Sequence, residues 1–225
     1  MPSRPTDRPP LTPQRIIDAA VEVADRGGVA AVSMRKVAEA LDVEAMALYH
    51  HVPNKDAIVD GIVDAVFGEI DLPRPDLDWR AALESRGRSA RRTLSRHSWV
   101  LGLIESHEHV GPHRLRQHDA ALGVLLGAGF SPAEALVAVS VLDSYVSGFV
   151  LQEQQHGVSG PAETERAAAE LAAELRGDDL PHLRAVAESV VTGAPSHDVV
   201  FSRGLRIVLD GLSPDPGGGA RVGPA

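Results

Sequence analysis

Apolar residues in this chain recur every three or four positions and never alternate over a useful length. Ile16, Ala20, Val23 and Ala24 form one such stripe, Ile58, Ile62, Val66 and Ile70 another, and Phe201, Leu205, Val208 and Leu212 a third. A period near 3.6 is the signature of a helix buried on one side, whereas a half-buried strand would show a period of two. Each run stops at glycine or proline: Gly27-Gly28, Val52-Pro53-Asn54, Leu72-Pro73-Arg74-Pro75, Gly111-Pro112, and the stretches 127–132, 157–161, 177–181 and 193–195. Proline removes a backbone donor and restricts the residue before it, so these are helix ends. The pattern predicts an all-α chain with helices over 12–27, 33–41, 44–51, 55–70, 79–96, 97–105, 113–128, 131–156, 161–176, 180–192 and 196–211.

Capping residues support three of the first four. Thr12 stands before Pro13, Ser33 before Met34 and Asn54 before Lys55, each placed so that its side-chain oxygen can accept an orphan N–H of the first turn. The core must be aliphatic, because only Phe 4, Trp 2 and Tyr 2 are present in 225 residues that are 44% apolar. There are no cysteines, which excludes disulfides, thiolate zinc sites and cysteine nucleophiles. No run approaches the roughly eighteen consecutive apolar residues of a membrane span, and the start Met1–Pro10 is polar and proline-rich, unlike a signal peptide. The expectation is a cytoplasmic protein without a membrane partner.

Helices 33–41 and 44–51 are joined by the short turn Leu41-Asp42-Val43, the spacing of a helix-turn-helix unit. In such a unit the second helix enters the DNA major groove and the first crosses the backbone. Arg35 and Lys36 lie in the first turn of the first helix, Tyr49, His50 and His51 end the second, and Lys55 opens the next. The only lysines of the chain, Lys36 and Lys55, thus flank the unit. The whole chain carries a formal charge of −9 and residues 1–60 hold 7 basic against 9 acidic side chains, so a DNA-binding face must be local. A plain three-helix core with a solvated face fits the same geometry. The expected organisation is a flexible arm over 1–11, a helix-turn-helix domain over 12–56, a larger helical domain over 57–212, and a disordered tail over 213–225.

Two stretches, Val32-Ser-Met-Arg-Lys-Val-Ala-Glu-Ala-Leu and Val43-Glu-Ala-Met-Ala-Leu-Tyr-His-His-Val-Pro-Asn-Lys55, resemble the DNA-binding domain of the TetR family of one-component transcriptional regulators. The similarity runs from Ile16 to Val66. It continues more weakly into the tetracycline-repressor branch, through Phe130-Ser-Pro-Ala-Glu-Ala-Leu and Val150-Leu-Gln-Glu-Gln-Gln-His156. The resemblance implies a repressor that binds a palindromic operator in double-stranded DNA as a homodimer and is released by a small-molecule effector, with no cofactor. It implies phosphate contacts from Ser33, Tyr49, His51 and Lys55, and base readout from Arg35, Ala45, Met46, Ala47 and His50, with Lys36 on the same face. Arg35 suits a bidentate contact to guanine. Ala45, Met46 and Ala47 depart from the polar residues of the tetracycline branch and can touch only thymine methyls, which leaves specificity to Arg35, His50 and DNA shape. Tyr49 also fits as a core aromatic, and Arg4 and Arg8 of the arm as either minor-groove contacts or solvated decoration.

The segment 131–156 is apolar nearly all round (Ala135, Leu136, Val139, Leu142, Val146, Phe149, Val150), so it must be buried on more than one side. Its strip Ser140, Ser144, Ser147 and Gly148 permits close approach of another helix, and Gly204 and Gly211 stand near the stripe of 196–211. The homodimer is expected through these two helices, as the family's four-helix bundle implies. An apolar effector pocket is expected from Val66, Trp99, Leu103, Leu122, Leu126, Leu142, Tyr145 and Phe149, with His107 and Gln152 at its rim. Arg86 falls on the buried stripe of 79–96, where a charge needs a partner: a protein carboxylate or the acidic group of an effector. The expected effector is lipophilic, and anionic if Arg86 holds it. Tetracycline itself is not expected, because Gly68, Arg86, Ala90 and Gln152 stand where that branch places a ligand-binding His, Asn, Phe and a metal-linked Glu.

Glu105, His107, Glu108, His109, His113, His118 and Asp119 crowd one stretch, which raises the alternative of a helical metal-dependent hydrolase built on the 105–120 region. No nucleophile elbow, phosphate loop or His-Glu-x-x-His pattern supports it, and the spacing crosses the Gly111-Pro112 break. No metal site and no enzyme are expected. A DNA-binding regulator lacking an effector is the remaining alternative.

Overall fold

The structure, a computed structural model, describes residues 9–104, 110–155, 161–175 and 180–214. The arm residues Arg4 and Arg8, the cluster members Glu105, His107, Glu108 and His109, and most of the tail lie outside them. The helices are α1 (Pro13–Gly27), α2 (Met34–Leu41), α3 (Ala45–Leu48), α4 (Lys55–Gly68), α5 (Trp79–Arg96), α6 (Leu101–Ile104), α7 (Pro112–Gly127), α8 (Pro132–Gln155), α9 (Pro161–Glu174), α10 (Pro181–Val191) and α11 (His197–Asp210). Short 3-10 turns stand at Val29–Ala31 and Ser98–Val100. No strand occurs among the described residues, and the fold is all-α.

Contacts divide the chain into two compact units, one of residues up to Leu72 with Arg92–Ala120, the other of Pro73–Arg91 with Ala121 onward. In the first, Ile16, Ala20 and Ala24 of α1, Val37 and Ala38 of α2, Leu48 of α3 and Ile58 and Ile62 of α4 make one core. Burying side chains of this size contributes about 1.5–3 kcal/mol each. The caps read from the sequence are made: Thr12 accepts from the Arg15 N–H at 3.2 Å, Ser33 from the Lys36 N–H at 3.2 Å and Asn54 from the Ala57 N–H at 2.8 Å. Between α2 and α3 Asp42 takes a left-handed φ of 53°, and the Val43 N–H reaches back to the Ala38 carbonyl at 3.0 Å. This six-to-one closure usually employs glycine, and Asp is one of the few residues that tolerate it.

Helix α3 is shorter than the sequence pattern predicts. It ends at Leu48 and gives way to a turn over Tyr49–His51, closed by N–H groups of His51 and Val52 on the Leu48 carbonyl, both at 2.9 Å. Pro53, which lacks an N–H and restricts Val52, prevents any helix from continuing past this turn.

In the second unit α8 buries Ala135, Ala138, Val139, Leu142, Val146 and Val150, while α11 buries Phe201, Leu205 and Leu209. Tyr145, Phe149 and Phe201 form an aromatic cluster with centroids 5.1–6.1 Å apart. The Tyr145 hydroxyl donates to the Phe201 carbonyl at 2.9 Å. Gly204 lies beneath that ring, where a Cβ would meet the hydroxyl at 2.3 Å, so its smallness serves the subunit's own packing. Helix α8 is long and apolar enough to cross a membrane by length and composition alone, a test that core helices also pass.

Candidate nucleic-acid interface and ligand cavity

The same local chemistry that folds α1–α4 leaves one set of side chains outside the core. Val37, Ala38 and Leu48 face inward, so their neighbours Arg35, Lys36, Tyr49, His50 and His51 face out, followed by Lys55 at the start of α4. Met46 is 71% exposed and Tyr49 48%, unusual values for side chains with so much apolar surface. Tyr49 is therefore not a core aromatic. Ala45 and Ala47 are half-buried on either side of Met46. The Ser33 hydroxyl oxygen is engaged in capping α2 and keeps its proton available as a donor.

Arg35 donates from Nε to Glu39 Oε1 at 2.8 Å. That bond, with the charge of Glu39, raises the pKa of the guanidinium above its ordinary value. The pair is solvent-exposed, and the NH1 and NH2 groups lie outside this bond, so Glu39 orients the fork.

The residues expected to line an effector pocket fall in both units. In the first, Val66 is fully buried in α4, Leu103 is half-buried in α6, and Trp99 packs against the core of α1–α4. Its indole N–H donates to Asp25 Oδ1 at 2.7 Å. His107 lies outside the described residues. In the second, Leu142 is buried, Leu122 half-buried and Leu126 exposed. Phe149 and Gln152 line a cavity of about 290 Å³ together with Glu153, Thr164, Val190, Pro195, His197 and Val200. The last four were not legible as a group, because they come from α10, α11 and the loop between them, far along the chain from α8.

Arg86 is 4% exposed and pairs with Asp143, its NH1 donating to Oδ1 at 2.8 Å. Its Nε is buried without a hydrogen-bond partner among the described residues. A second cation, the half-buried Arg91, lies over the Phe201 and Phe149 rings at 4.7 and 5.1 Å. Burial pulls its pKa down, and hydrogen bonds to Glu153 and Asp198 more than reverse this, so the net shift is upward. His197 stands 3.4 Å from the same Glu153. The Glu153 carboxylate at the cavity is thus already engaged, and the remaining surface favours an apolar guest.

Of the histidine-rich stretch, His113 binds Asp64, Nδ1 to Oδ2 at 2.8 Å, and the His118 Nδ1–H donates to the Arg114 carbonyl at 3.1 Å. Among the described residues no three of His, Cys, Asp or Glu come together as a metal site. His97, which the sequence reading passed over, is buried between two carboxylates.

Residues 16–62 match the family described as bacterial regulatory proteins, tetR family, and residues 72–214 match the tetracyclin repressor-like C-terminal domain. An HTH-type transcriptional regulator from Saccharopolyspora erythraea is 34% identical over 211 residues, covering 93% of this chain and 88% of the relative. The class A tetracycline repressor of Escherichia coli, from transposon 1721, is 33% identical over 207 residues, with 90% and 91% covered. Among solved structures, ActR of Streptomyces coelicolor in complex with actinorhodin superposes with a TM-score of 0.73 at 26% identity, over 91% of this chain and 97% of that one.

Proposed function

The chain belongs to the TetR family of bacterial transcriptional regulators, and from that premise we propose that it is a repressor which binds a palindromic operator as a homodimer and is released by a small-molecule effector. The observation that carries the reading is the exposed row Arg35, Lys36, Met46, Tyr49, His50, His51 and Lys55 on a unit whose core is otherwise complete. Cations and a tyrosine hydroxyl serve phosphates, while Arg35 and His50 offer donors to base edges. Met46 suits the methyl of thymine.

Dimerisation is proposed from the apolar surface that α8 and α11 leave uncovered. Leu136, Val137, Val141 and Leu151 are exposed on α8, and Val200 and Ile207 on α11, the last at 73%. Exposed apolar side chains on two helices suit an interface, and two recognition helices about 34–36 Å apart read inverted half-sites. The working place of such a dimer is the cytoplasm.

The effector is proposed to be lipophilic. The cavity beside Phe149 supports this, and relatives of the same architecture are a tetracycline repressor and a protein solved with actinorhodin. An acidic group on the effector would suit the unpartnered Nε of Arg86.

Selection of genomic fragments by the purified protein, followed by footprinting, tests the reading. Recovery of inverted half-sites protected by two chains supports it. Binding that ignores sequence and fades uniformly with salt overturns it.

A further inference from the structure

His97 is 3% exposed and stands at the break between α5 and the 3-10 turn Ser98–Val100. Its Nδ1 is 2.7 Å from Asp25 Oδ1 on α1, and its Nε2 is 3.2 Å from Glu69 Oε2, just past the end of α4. Trp99 donates its indole N–H to the same Asp25 oxygen at 2.7 Å, and Arg96 donates to the same Glu69 oxygen at 2.8 Å. The Trp99 and His97 rings meet edge to face at 6.2 Å.

A carboxylate is acceptor-only, and a neutral imidazole has one donor. His97 therefore satisfies Asp25 and Glu69 together only while its ring carries both protons. In that state the four groups balance, with His97 and Arg96 positive, Asp25 and Glu69 negative. The other charged groups around the cluster are Arg92, paired with Asp71 at 3.2 Å, and Asp18 and His113, which share a polar cavity with Glu69.

We propose that His97 is a protonation-dependent positioning residue for operator binding, tying α1 through Asp25 to the end of α4 through Glu69. Helix α1 packs on both α2 and α4. Fixing its C-terminal end therefore fixes the frame in which α2 and α3 present Arg35, Met46 and His50. Loss of one ring proton breaks one of the two ties and loosens that frame. The inference rests on the operator-binding reading above and adds to it a regulating proton.

Trp99 supplies an internal reporter, since the chain has only one other tryptophan, Trp79. In the full-length Trp79→Phe protein, Trp99 emission and operator affinity are followed together between about pH 5.5 and 8.5. Operator affinity is expected to fall about fivefold as the pH rises, with the same midpoint as the Trp99 emission change. In His97→Gln, which keeps a single donor group, both transitions disappear, whereas a pH dependence arising on the DNA-binding face itself persists in this variant. Asp25→Asn, which retains an acceptor for the Trp99 N–H, gives the same loss and stands in if His97→Gln fails to fold. An unchanged pH dependence of affinity in these variants overturns the proposal while leaving operator binding intact. Absence of sequence-specific binding at every pH overturns the operator reading itself, and this inference with it.

Discussion

Asp64 of α4 caps α7 across 49 residues of sequence: its carboxylate accepts the backbone N–H of His113 at 3.0 Å and that of Arg114 at 3.1 Å, and takes His113 Nδ1 at 2.8 Å. Gly111 backs the arrangement so closely that a Cβ would lie 2.2 Å from the Asp64 carboxyl carbon. A side chain from one helix thus supplies the N-cap of another. Asp64→Ala is expected to cost about 1–3 kcal/mol, as a lost cap plus unsatisfied N–H groups. Gly111→Ala should cost about 1–3 kcal/mol through overpacking. Urea midpoints at constant slope check both.

Arg86, a buried cation of the second unit, pairs with Asp143, which stays partly open to solvent. Arg86→Ala is expected to destabilise by about 2–4 kcal/mol, toward the low end because Asp143 retains access to water. It should also weaken binding of an acidic effector about tenfold or more, measured by calorimetry once an effector is in hand. Unchanged effector affinity would remove Arg86 from the site.

Gly204 and Tyr145 make a test of packing. Gly204→Ala drives a methyl into the Tyr145 hydroxyl and ring edge and should cost about 1–3 kcal/mol, part of which Tyr145→Phe restores in the double variant. Burial, partly opposed by Arg91, holds the Tyr145 phenol above its usual pKa. The unfolded chain therefore releases this proton first, so the phenol's contribution to stability is intact below about pH 10 and lost as the pH rises beyond it. Tyr145→Phe should flatten that alkaline loss in thermal unfolding.

Ile207 is the most exposed aliphatic side chain of α11, and Val141 is exposed on α8. Ile207→Glu with Val141→Glu should place like charges at the proposed dimer interface and yield monomers in sedimentation velocity at micromolar concentration. The fold should survive, because neither side chain contributes to the core, while operator affinity collapses with loss of the second half-site.

The helices were legible in the sequence because their signals are local. Thr12, Ser33 and Asn54 each bond within three residues, and Gly and Pro mark the ends. The exposed face of α2 followed from the same periodicity, since an inward Val37 places Arg35 outside, whereas Tyr49 fitted either the core or the surface until its exposure was seen. Groups joined over long separations were not legible: His97 meets Asp25 across 72 residues, and Phe149 meets His197 across 48. Periodicity says which side of a helix is buried, and nothing about what it meets there. Arg86 shows the limit well, because its burial was readable and its choice of Asp143 was not.

The most direct test of the account compares operator and unrelated DNA for wild type and Arg35→Ala at fixed salt. Loss of a bidentate base contact should cost about 1–3 kcal/mol on the operator alone, narrowing the specificity ratio roughly 5–150-fold. Lys55→Ala, by contrast, should weaken both DNAs alike and reduce the salt slope by about 1. If Arg35→Ala weakened both DNAs equally and left the ratio intact, Arg35 would be a phosphate contact, and the claim that this face reads bases through it would be wrong.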